Sequence, residues 1–592
     1  MMALIFLLAI AGLLLCVVQL RRKERMRARI PPGAQPLPGP KCYPIVGRVH
    51  DVPSESSWLK FYDWSKEYGP IYQTESFGTV HVWISSEQVA HDLLSRRAAI
   101  YSDRPQIPNL PDNRTKGDYL ALTGSNDIWK RQRKLAQQLM TANWSLHDYP
   151  SKERDRFLYL LSTDASQYRE FIEQFTSRTV ARLSWGSPQS AQRLRVTTAG
   201  LLDSISPAGA LPNLISWLMY LPTFLSPWQQ KENARHAMEA QLLRDNVKYA
   251  HDCIDNAMAE PSFIRTFIES TGLPGGKSDL IEEAEASYVV GQMAIAGALT
   301  IGSPIQSFLL AMLHYPEWQR KLQSEIDQVC GGDCPQWEHR EKLPLLRAVV
   351  KEVIRWRPPV PTGIPHAITK DDVYNGYFIP AGATIHALEW AMTRDEKMYP
   401  DGDEFNPARW LDPAYPTYKG PLTTHPKLNG FSQFGFGRRT CQGIPLVEQD
   451  LYLAMGGMAW AFDIRKKRRA DGSEVPVHWN DYTPLLIAKP KPFEFDAVVR
   501  GEERARLLRS MWETGKGDDD RDLEEDMTLF SEPLRPKVGA RERRSDDLRK
   551  KEAEFDNCMV DDASSDRGSE TSGPMHSTNE SISSGTSDSD DV

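Results

Sequence analysis

The segment with the most chemical content is FGFGRRTCQG, residues 434–443, which contains Cys441. Three glycines and two arginines surround this cysteine: Gly435, Gly437, Gly443, Arg438 and Arg439. Backbone N–H groups of a glycine-rich loop can point at a thiolate, and neighbouring cations stabilise it. The helix-compatible run over residues 445–462 would add a helix N-terminus, which also favours negative charge. The pattern predicts a thiolate ligand or nucleophile, and a buried structural cysteine is the alternative.

A second group of polar residues could form ion pairs. Glu352 and Arg355 are three apart on a predicted helix over residues 345–356, so their side chains share one face and can pair. Taken alone, such a pair is by default a surface ion pair of little energetic value.

A long apolar helix, predicted over residues 287–315, carries a third candidate site. Its stretch AGALT, residues 296–300, ends in Thr300, whose hydroxyl could hold a water. The alternative for a mid-helix threonine is a hydrogen bond to the carbonyl one turn earlier. Pro304 has no N–H for the Thr300 carbonyl, so the helix should loosen there. We hypothesise that the freed carbonyl binds water.

Composition sets the class of protein. The chain has 592 residues, 40% of them hydrophobic, which supports a large core and excludes a wholly disordered chain. Its net charge of −8 gives no support to nucleic-acid binding. Seven irregularly spaced cysteines exclude a disulfide scaffold.

The N-terminus predicts membrane attachment. Residues 1–18 are uncharged and apolar, and six basic residues follow between positions 21 and 29. This pattern indicates a transmembrane anchor over residues 1–20 with the rest of the chain in the cytoplasm. A cleaved signal peptide would carry its charge before the apolar run. Residues 21–40 are basic and then proline-rich, and they read as a hinge or spacer.

The C-terminal segment differs from the N-terminal one in composition, because it is polar and acidic. Residues 561–592 contain ten serines and eight acidic residues, with almost nothing to bury. We expect residues 501–592 to form a charged, disordered tail. Between these ends, residues 41–500 read as one mainly α domain with small β-sheets (α+β). Strands are predicted over residues 71–75, 80–84, 376–379 and 384–387.

The loop around Cys441 resembles the heme-binding signature of the cytochrome P-450 family, Phe-x-x-Gly-x-Arg-x-Cys-x-Gly. All five fixed positions match: Phe434, Gly437, Arg439, Cys441 and Gly443. Glu352, Arg355 and the FNPARW segment over residues 405–410 match further family marks. The resemblance covers roughly residues 36–498. It implies the cytochrome P-450 fold, a single large helical domain with a buried heme.

The resemblance also implies roles for individual residues. Cys441 would be the axial ligand of the iron of heme b. Trp129, Arg133, His366 and Arg439 would hold the heme propionates, although His366 alone would read as a loop histidine. Glu352, Arg355 and Arg409 would form a buried triad. Gly297 and Thr300 match the oxygen-site helix, but Leu299 stands where the family carries an acid that relays protons.

The implied activity is insertion of one oxygen atom of O2 into a hydrophobic small molecule. The electrons would come from NADPH through a membrane-bound reductase, or from cytochrome b5, at the endoplasmic reticulum membrane. The stretch over residues 361–385 looks like fungal members of secondary metabolism, which oxidise aromatic or polyketide intermediates. Because Leu299 replaces the acid, a peroxide-driven or rearranging enzyme remains an alternative, and so does a non-catalytic heme sensor or scaffold.

Several surface and pocket assignments follow from family analogy. Lys130, Arg131 and Lys134 form a candidate docking patch for the reductase, with a plain solvated helix face as the alternative. The residues expected to line an apolar substrate pocket are Ile107, Leu110, Leu214, Trp217, Ile295, Val360, Ile364 and Leu485. The glycosylation sequons at Asn113, Asn143 and Asn579 are interpreted as chance. Cys330 and Cys334 are weak evidence for a zinc site.

Overall fold

The computed structural model describes residues 17–18, 21, 24–43, 46–143, 148–271 and 281–515. Most of the predicted anchor and the tail beyond residue 515 lie outside these ranges, as does the Asn579 sequon. The anchor and the tail therefore stay predictions.

Helices make up most of the described chain. Seventeen α-helices are described: α1 Ser57–Tyr68, α2 Glu87–Ala90, α3 Ala98–Tyr101, α4 Asp127–Asn143, α5 Tyr149–Thr163, α6 Tyr168–Trp185, α7 Ala191–Ile205, α8 Leu211–Leu214, α9 Pro227–Asp255, α10 Phe263–Thr271, α11 Glu283–Thr300, α12 Gly302–His314, α13 Pro316–Cys330, α14 Pro344–Trp356, α15 Glu389–Met392, α16 Ile444–Ala461 and α17 Glu502–Gly515. Short 3₁₀ turns connect several of them, including Ser216–Tyr220, Thr223–Leu225, Pro407–Trp410, Ser432–Phe434 and Gly437–Arg439.

The described residues contain nine short strands, which form three small sheets. The strands are β1 Gln35–Pro36, β2 Ile71–Ser76, β3 Thr79–Ile84, β4 His366–Ala367, β5 Asp372–Tyr374, β6 Tyr377–Ile379, β7 Thr384–Ala387, β8 Phe462–Lys466 and β9 Phe495–Val499. The largest sheet has the order β2-β3-β7-β4, and it pairs His81 with Thr384 in parallel and His366 with Ile385 in antiparallel register. The other sheets have the orders β1-β6-β5 and β8-β9.

The predicted strands are confirmed to within one residue, and so are the helices predicted over residues 345–356 and 445–462. The apolar helix predicted over residues 287–315 is present but divided. α11 ends at Thr300 and α12 begins at Gly302. Pro304 explains the break, because a proline supplies no N–H to the carbonyl four residues earlier.

Both ends of the predicted domain extend further than expected. The proline-rich hinge adds strand β1 beside β6, and its Leu37 is buried, so this segment packs on the body rather than acting only as a spacer. At the other end, α17 lies inside the segment expected to be tail. Its Leu508 is buried, and its Trp512 stacks on Tyr159 at 4.9 Å between ring centroids. The packed body therefore continues beyond residue 500, because α17 has an apolar face to bury.

The two helices α11 and α12 run through the core. Together, as Glu283–His314, they form the one helix among the described residues that is long and apolar enough to cross a membrane, but 78% of its most apolar window is buried within the protein. They place Thr300 at the junction between the two helices.

Candidate active site

The loop that carries Cys441 is a tight turn closed by its own backbone. The Cys441 N–H donates to the Phe434 carbonyl oxygen at 2.8 Å. Gly437 has a φ of +54°, and a Cβ atom there would lie 2.3 Å from the Leu94 carbonyl oxygen, so only glycine fits. α16 begins three residues after the cysteine. This geometry presents the sulfur at the N-terminal end of a buried helix.

The thiol of Cys441 retains accessible surface although dense protein surrounds it. Burial raises its pKa, while the Gly443 backbone N–H and the Arg133 guanidinium act in the opposite direction. A bound metal ion deprotonates a coordinating thiol outright. The site therefore holds a thiol that a metal would convert to a thiolate.

Three arginines and one histidine gather beside this loop. Arg439 lies 3.9 Å above the Trp129 ring, and Arg133, one turn further along α4, donates to the Thr440 carbonyl oxygen. His366 is buried, and its Nδ1 donates to the Tyr101 carbonyl oxygen at 2.9 Å. The residue that sequence reasoning missed is Arg104, which donates to the carbonyls of residues 121, 364 and 365.

These cations are buried together in excess of their counterions. Burial, followed by the neighbouring arginines, lowers the pKa of Arg439 to about 8. Burial also lowers the pKa of Arg104 to about 9, and it lowers that of His366 well below its usual value. The one nearby carboxylate, Asp103, already pairs with Arg114 at 2.6 Å.

The donor set fits a heme. Arg439 keeps a buried Nη1 without a hydrogen-bond partner, although its Nε and Nη2 are bound to the carbonyls of Ser102 and Thr123. A buried, under-neutralised cation cluster is costly unless anions join it, and a heme brings two carboxylates. Its iron would take the Cys441 sulfur as a ligand. Trp129, Arg133, His366 and Arg439 lie together beside the cysteine loop, and Arg104 joins them. Their role toward the heme propionates stays a prediction.

Glu352, Arg355 and Arg409 form a fully buried ion cluster. Arg355 binds both carboxylate oxygens of Glu352 at 2.8 and 2.9 Å, and Arg409 donates to the same carboxylate at 3.2 Å. The Trp410 indole and the Asn406 backbone N–H add further bonds of 3.0 and 2.8 Å. The surface-pair alternative for Glu352 and Arg355 is therefore wrong, because tertiary contacts with the residue 405–410 segment enclose them.

Helix α11 contains Gly297, Leu299 and Thr300, the residues that the sequence analysis compared with the family's oxygen-site helix. The Thr300 hydroxyl donates to the Ala296 carbonyl oxygen at 2.9 Å, which is the back-bonded geometry. A Cβ atom at Gly297 would lie 2.6 Å from a Val180 methyl group, so this glycine serves the close packing of α11 on α6. Leu299 is 8% exposed and belongs to an apolar cluster.

Most of the predicted pocket residues lie together. Leu110 and Ile295 belong to one apolar cluster, against which Ile107, Val360, Ile364 and Leu485 pack. Leu214 and Trp217 lie outside this cluster and are 39% and 52% exposed. They belong to an exposed apolar strip that also includes Leu211, Tyr220, Phe224 and Leu225.

The basic patch predicted on α4 is largely neutralised. Arg131 forms a two-point ion pair with Glu285, and Lys130 pairs with Asp127 at 2.8 Å. The solvated-face interpretation therefore describes these two residues better. Sequence spacing did not show the partner of Arg131, because Glu285 is 154 positions away, whereas Asp127 is only three residues from Lys130.

A different basic cluster precedes the cysteine loop. We call it the proximal basic cluster, and its members are Arg347, Lys351, Lys419, His425 and Lys427. Lys419 and Lys427 are exposed. Burial and the charge of Lys419 lower the pKa of Lys351 to about 8, and burial and three lysines lower that of His425. No motif marks this cluster, which depends on α14 meeting the loop over residues 417–428.

Two minor sequence motifs gain no functional support. Cys330 contacts His339 at 3.4 Å, but burial raises the pKa values of Cys330 and Cys334 to about 11 and 12. Within the described residues no group of three potential metal ligands occurs. Asn113 is fully buried and binds the Leu122 carbonyl, which closes it to glycosylation.

Comparison with known proteins agrees with this geometry. The family model "Cytochrome P450" matches residues 37–493. Cytochrome P450 monooxygenase virE of Hypocrea virens is 30% identical over 496 residues, which are 82% of this chain and 89% of that protein. Cytochrome P450 monooxygenase psoD of Aspergillus fumigatus is 31% identical over 460 residues, which are 76% of this chain and 87% of that protein.

A solved structure shows the same fold. A zebrafish cytochrome P450, determined with abiraterone, superposes with a TM-score of 0.60 at 20% identity and covers 75% of this chain and 100% of that one. Together with the family model, which spans most of the chain, and with the cysteine loop and its cation cluster, these relatives establish that the chain belongs to the cytochrome P450 family of monooxygenases.

Proposed function

We propose that this protein is a heme-thiolate monooxygenase that oxidises a hydrophobic small molecule of fungal secondary metabolism with electrons from an NADPH-dependent reductase. The observation that carries the proposal is the Cys441 loop beside an under-neutralised group of cations, of which Arg104 and Arg439 are buried and Arg133 is half-buried. A heme bound there through a thiolate supplies the chemistry that cleaves O2.

The chain's own residues would hold and orient the reactants. The cations and Trp129 would fix the heme carboxylates, and Thr300 would offer a hydroxyl at the C-terminal end of α11. The apolar cluster around Ile295 and Leu110 would exclude water from the substrate. Fungal relatives support the reaction class, since they are named cytochrome P450 monooxygenases.

Membrane attachment is part of the proposal. The apolar residues 1–18 support it, and so does the exposed strip in which Tyr220 is 81% and Phe224 is 77% exposed. Large exposed aromatic patches of this kind typify surfaces that contact membranes or other proteins. The expected location is the endoplasmic reticulum membrane, with the catalytic body in the cytosol.

The direct test combines the full-length protein in membranes with a fungal NADPH reductase. A substrate library is screened for a shift of the heme spin state, and products are identified by mass spectrometry under ¹⁸O2. One labelled oxygen atom per product, dependent on both NADPH and reductase, is the expected result. Turnover with peroxide alone would instead support the peroxide-driven alternative suggested by Leu299, and heme binding without any turnover would support a sensor.

Replacing Pro304 by Ala tests the proton path. The change restores an N–H for the Thr300 carbonyl, so α11 and α12 should join, and stability should rise by about 1–3 kcal/mol. If the freed carbonyl holds a water that relays protons, product formed per NADPH should fall and peroxide should rise. Pro316→Ala is the matched control, because Pro316 stands at the first position of α13, where no donor is needed. Unchanged coupling in the Pro304 variant would refute the relay.

The proximal basic cluster is the proposed docking site for the acidic surface of the reductase. Three of its members, Lys419, His425 and Lys427, come shortly before the cysteine loop in the chain, and Lys419 and Lys427 are exposed. Reversing both charges to Glu should raise the KM for reductase by about fivefold to tenfold at low salt and flatten its salt dependence. Lys248→Glu on α9 is the control. Equal effects of the two changes would contradict docking at this cluster.

A further inference from the structure

Tyr119 occupies a buried polar cluster outside the site described above. Its hydroxyl donates to Glu232 Oε1 at 3.3 Å, lies 3.1 Å from His236 Nδ1 and accepts from Arg235 Nη2 at 3.1 Å. Tyr119 itself is fully buried, and burial raises the pKa of its hydroxyl, so it stays protonated. The Tyr119 hydroxyl therefore links the loop before α4 to α9, beside the neighbouring contact of Asp118 with His236 at 3.5 Å.

The same cluster joins the three helices α7, α9 and α11. Arg235 binds Glu232 through two nitrogens and also pairs with Glu239. Ser204 at the end of α7 donates to Glu232, and Gln292 of α11 donates to Glu239 at 3.0 Å. Helices α7, α9 and α11 thus share one hydrogen-bonded network, whose charged members are almost completely buried. Such networks have few alternative arrangements, because each broken hydrogen bond leaves a buried polar group without a partner.

The residues that follow Tyr119 hold the cations of the heme site. The Ala121 carbonyl accepts from Arg104 Nε at 3.0 Å, and the Thr123 carbonyl accepts from Arg439 Nη2 at 2.7 Å. The Thr123 hydroxyl donates to the Tyr119 carbonyl oxygen at 2.8 Å. Residues 119–123 therefore bind α9 through Tyr119 and, through two of their carbonyls, accept hydrogen bonds from the guanidinium groups of Arg104 and Arg439.

We propose that Tyr119 is a positioning residue that couples the α7–α9–α11 network to the arginines that bind the heme carboxylates. When the hydroxyl is bound to α9, the carbonyls of Ala121 and Thr123 hold Arg104 and Arg439 in place. When that bond is lost, the loop moves and both guanidinium groups lose a fixed acceptor. A movement of helices α7 and α9 would be transmitted to the heme through the same residues. The proposal rests on heme occupying the site proposed above.

The test compares Tyr119→Phe with Tyr72→Phe in the full-length holoprotein. Both tyrosines are fully buried and each loses a hydroxyl with hydrogen bonds, but Tyr72 binds only the Phe61 carbonyl, at 2.6 Å, within the sheet region. Heme release is measured as transfer to a heme-free globin, and the heme reduction potential is measured by titration. Tyr119→Phe should release heme about fivefold faster, the factor that corresponds to one lost buried hydrogen bond. Its reduction potential should fall, because cations that are displaced from the heme favour the reduced, less positively charged heme less strongly.

Hydrogen exchange provides an independent readout. Tyr119→Phe should lose protection over residues 119–123, whereas Tyr72→Phe should not. Equal heme release, potential and exchange in the two variants would overturn the proposal. If Tyr119→Phe does not fold, Ser204→Ala removes a different bond of the same network and should shift the same readouts in the same direction. A wild-type protein that binds no heme would overturn the proposed function instead, which keeps the two failures distinct.

Discussion

Replacing Glu352 by Gln is expected to lower the free energy of unfolding by about 3–5 kcal/mol or more, since this is the cost of removing one partner from a buried ion pair. The Glu352 carboxylate accepts bonds from Arg355, Arg409, Trp410 and the Asn406 backbone, and it is fully buried. The amide would leave two buried guanidinium groups without a counter-charge. Against a typical stability of about 5–15 kcal/mol, much of the protein would fail to fold.

The measurement is urea unfolding followed by circular dichroism, with the yield of heme-loaded protein as a second readout. Asp252→Asn on α9 is the matched control, because Asp252 pairs with Lys248 at 2.6 Å while both side chains are more than half exposed. Its effect should stay within about 0.5 kcal/mol, as for other surface pairs. A Glu352 variant as stable as this control would show that the triad does not hold the fold.

The triad also shows what local sequence can and cannot predict. The three-residue spacing of Glu352 and Arg355 placed them on one face of a helix, and the structure has that helix. Nothing in the spacing indicated burial, which comes from Arg409 and Trp410, 57 and 58 positions away from Glu352. Helices and strands follow from nearby residues, whereas an ion pair's environment depends on what packs over it.

The cations beside the cysteine loop also show that local sequence does not predict tertiary contacts. Arg439 and Trp129 were recognisable from family motifs, but Arg104 carries no motif and is placed by the carbonyls of Ile364 and Pro365. The basic charge expected on α4 is reduced for a related reason, since Glu285 neutralises Arg131 from a distant helix. Charge on a surface is a tertiary property, because it depends on partners that sequence order does not bring together.

Replacing Cys441 by Ala is the change with the largest expected effect on chemistry. Alanine offers no ligand, so the reduced protein with CO should lose the red-shifted absorption band of a thiolate-ligated heme, and turnover should fall to background. The loop should survive, because its closing bond is donated by the residue 441 backbone N–H to Phe434 and needs no side chain. Unfolding free energy should therefore change little.

Two comparisons make the cysteine result specific. Cys253→Ala, at a half-buried thiol of α9, should keep both the spectrum and the activity. Cys441→His should still bind heme, because Arg104, Arg133 and Arg439 remain to hold its carboxylates, but with the spectrum of nitrogen ligation. A normal thiolate spectrum in the Cys441→Ala protein would contradict the ligand assignment. Loss of heme from the His variant would instead show that the cations alone do not retain the group, and that the sulfur contributes binding energy as well as chemistry.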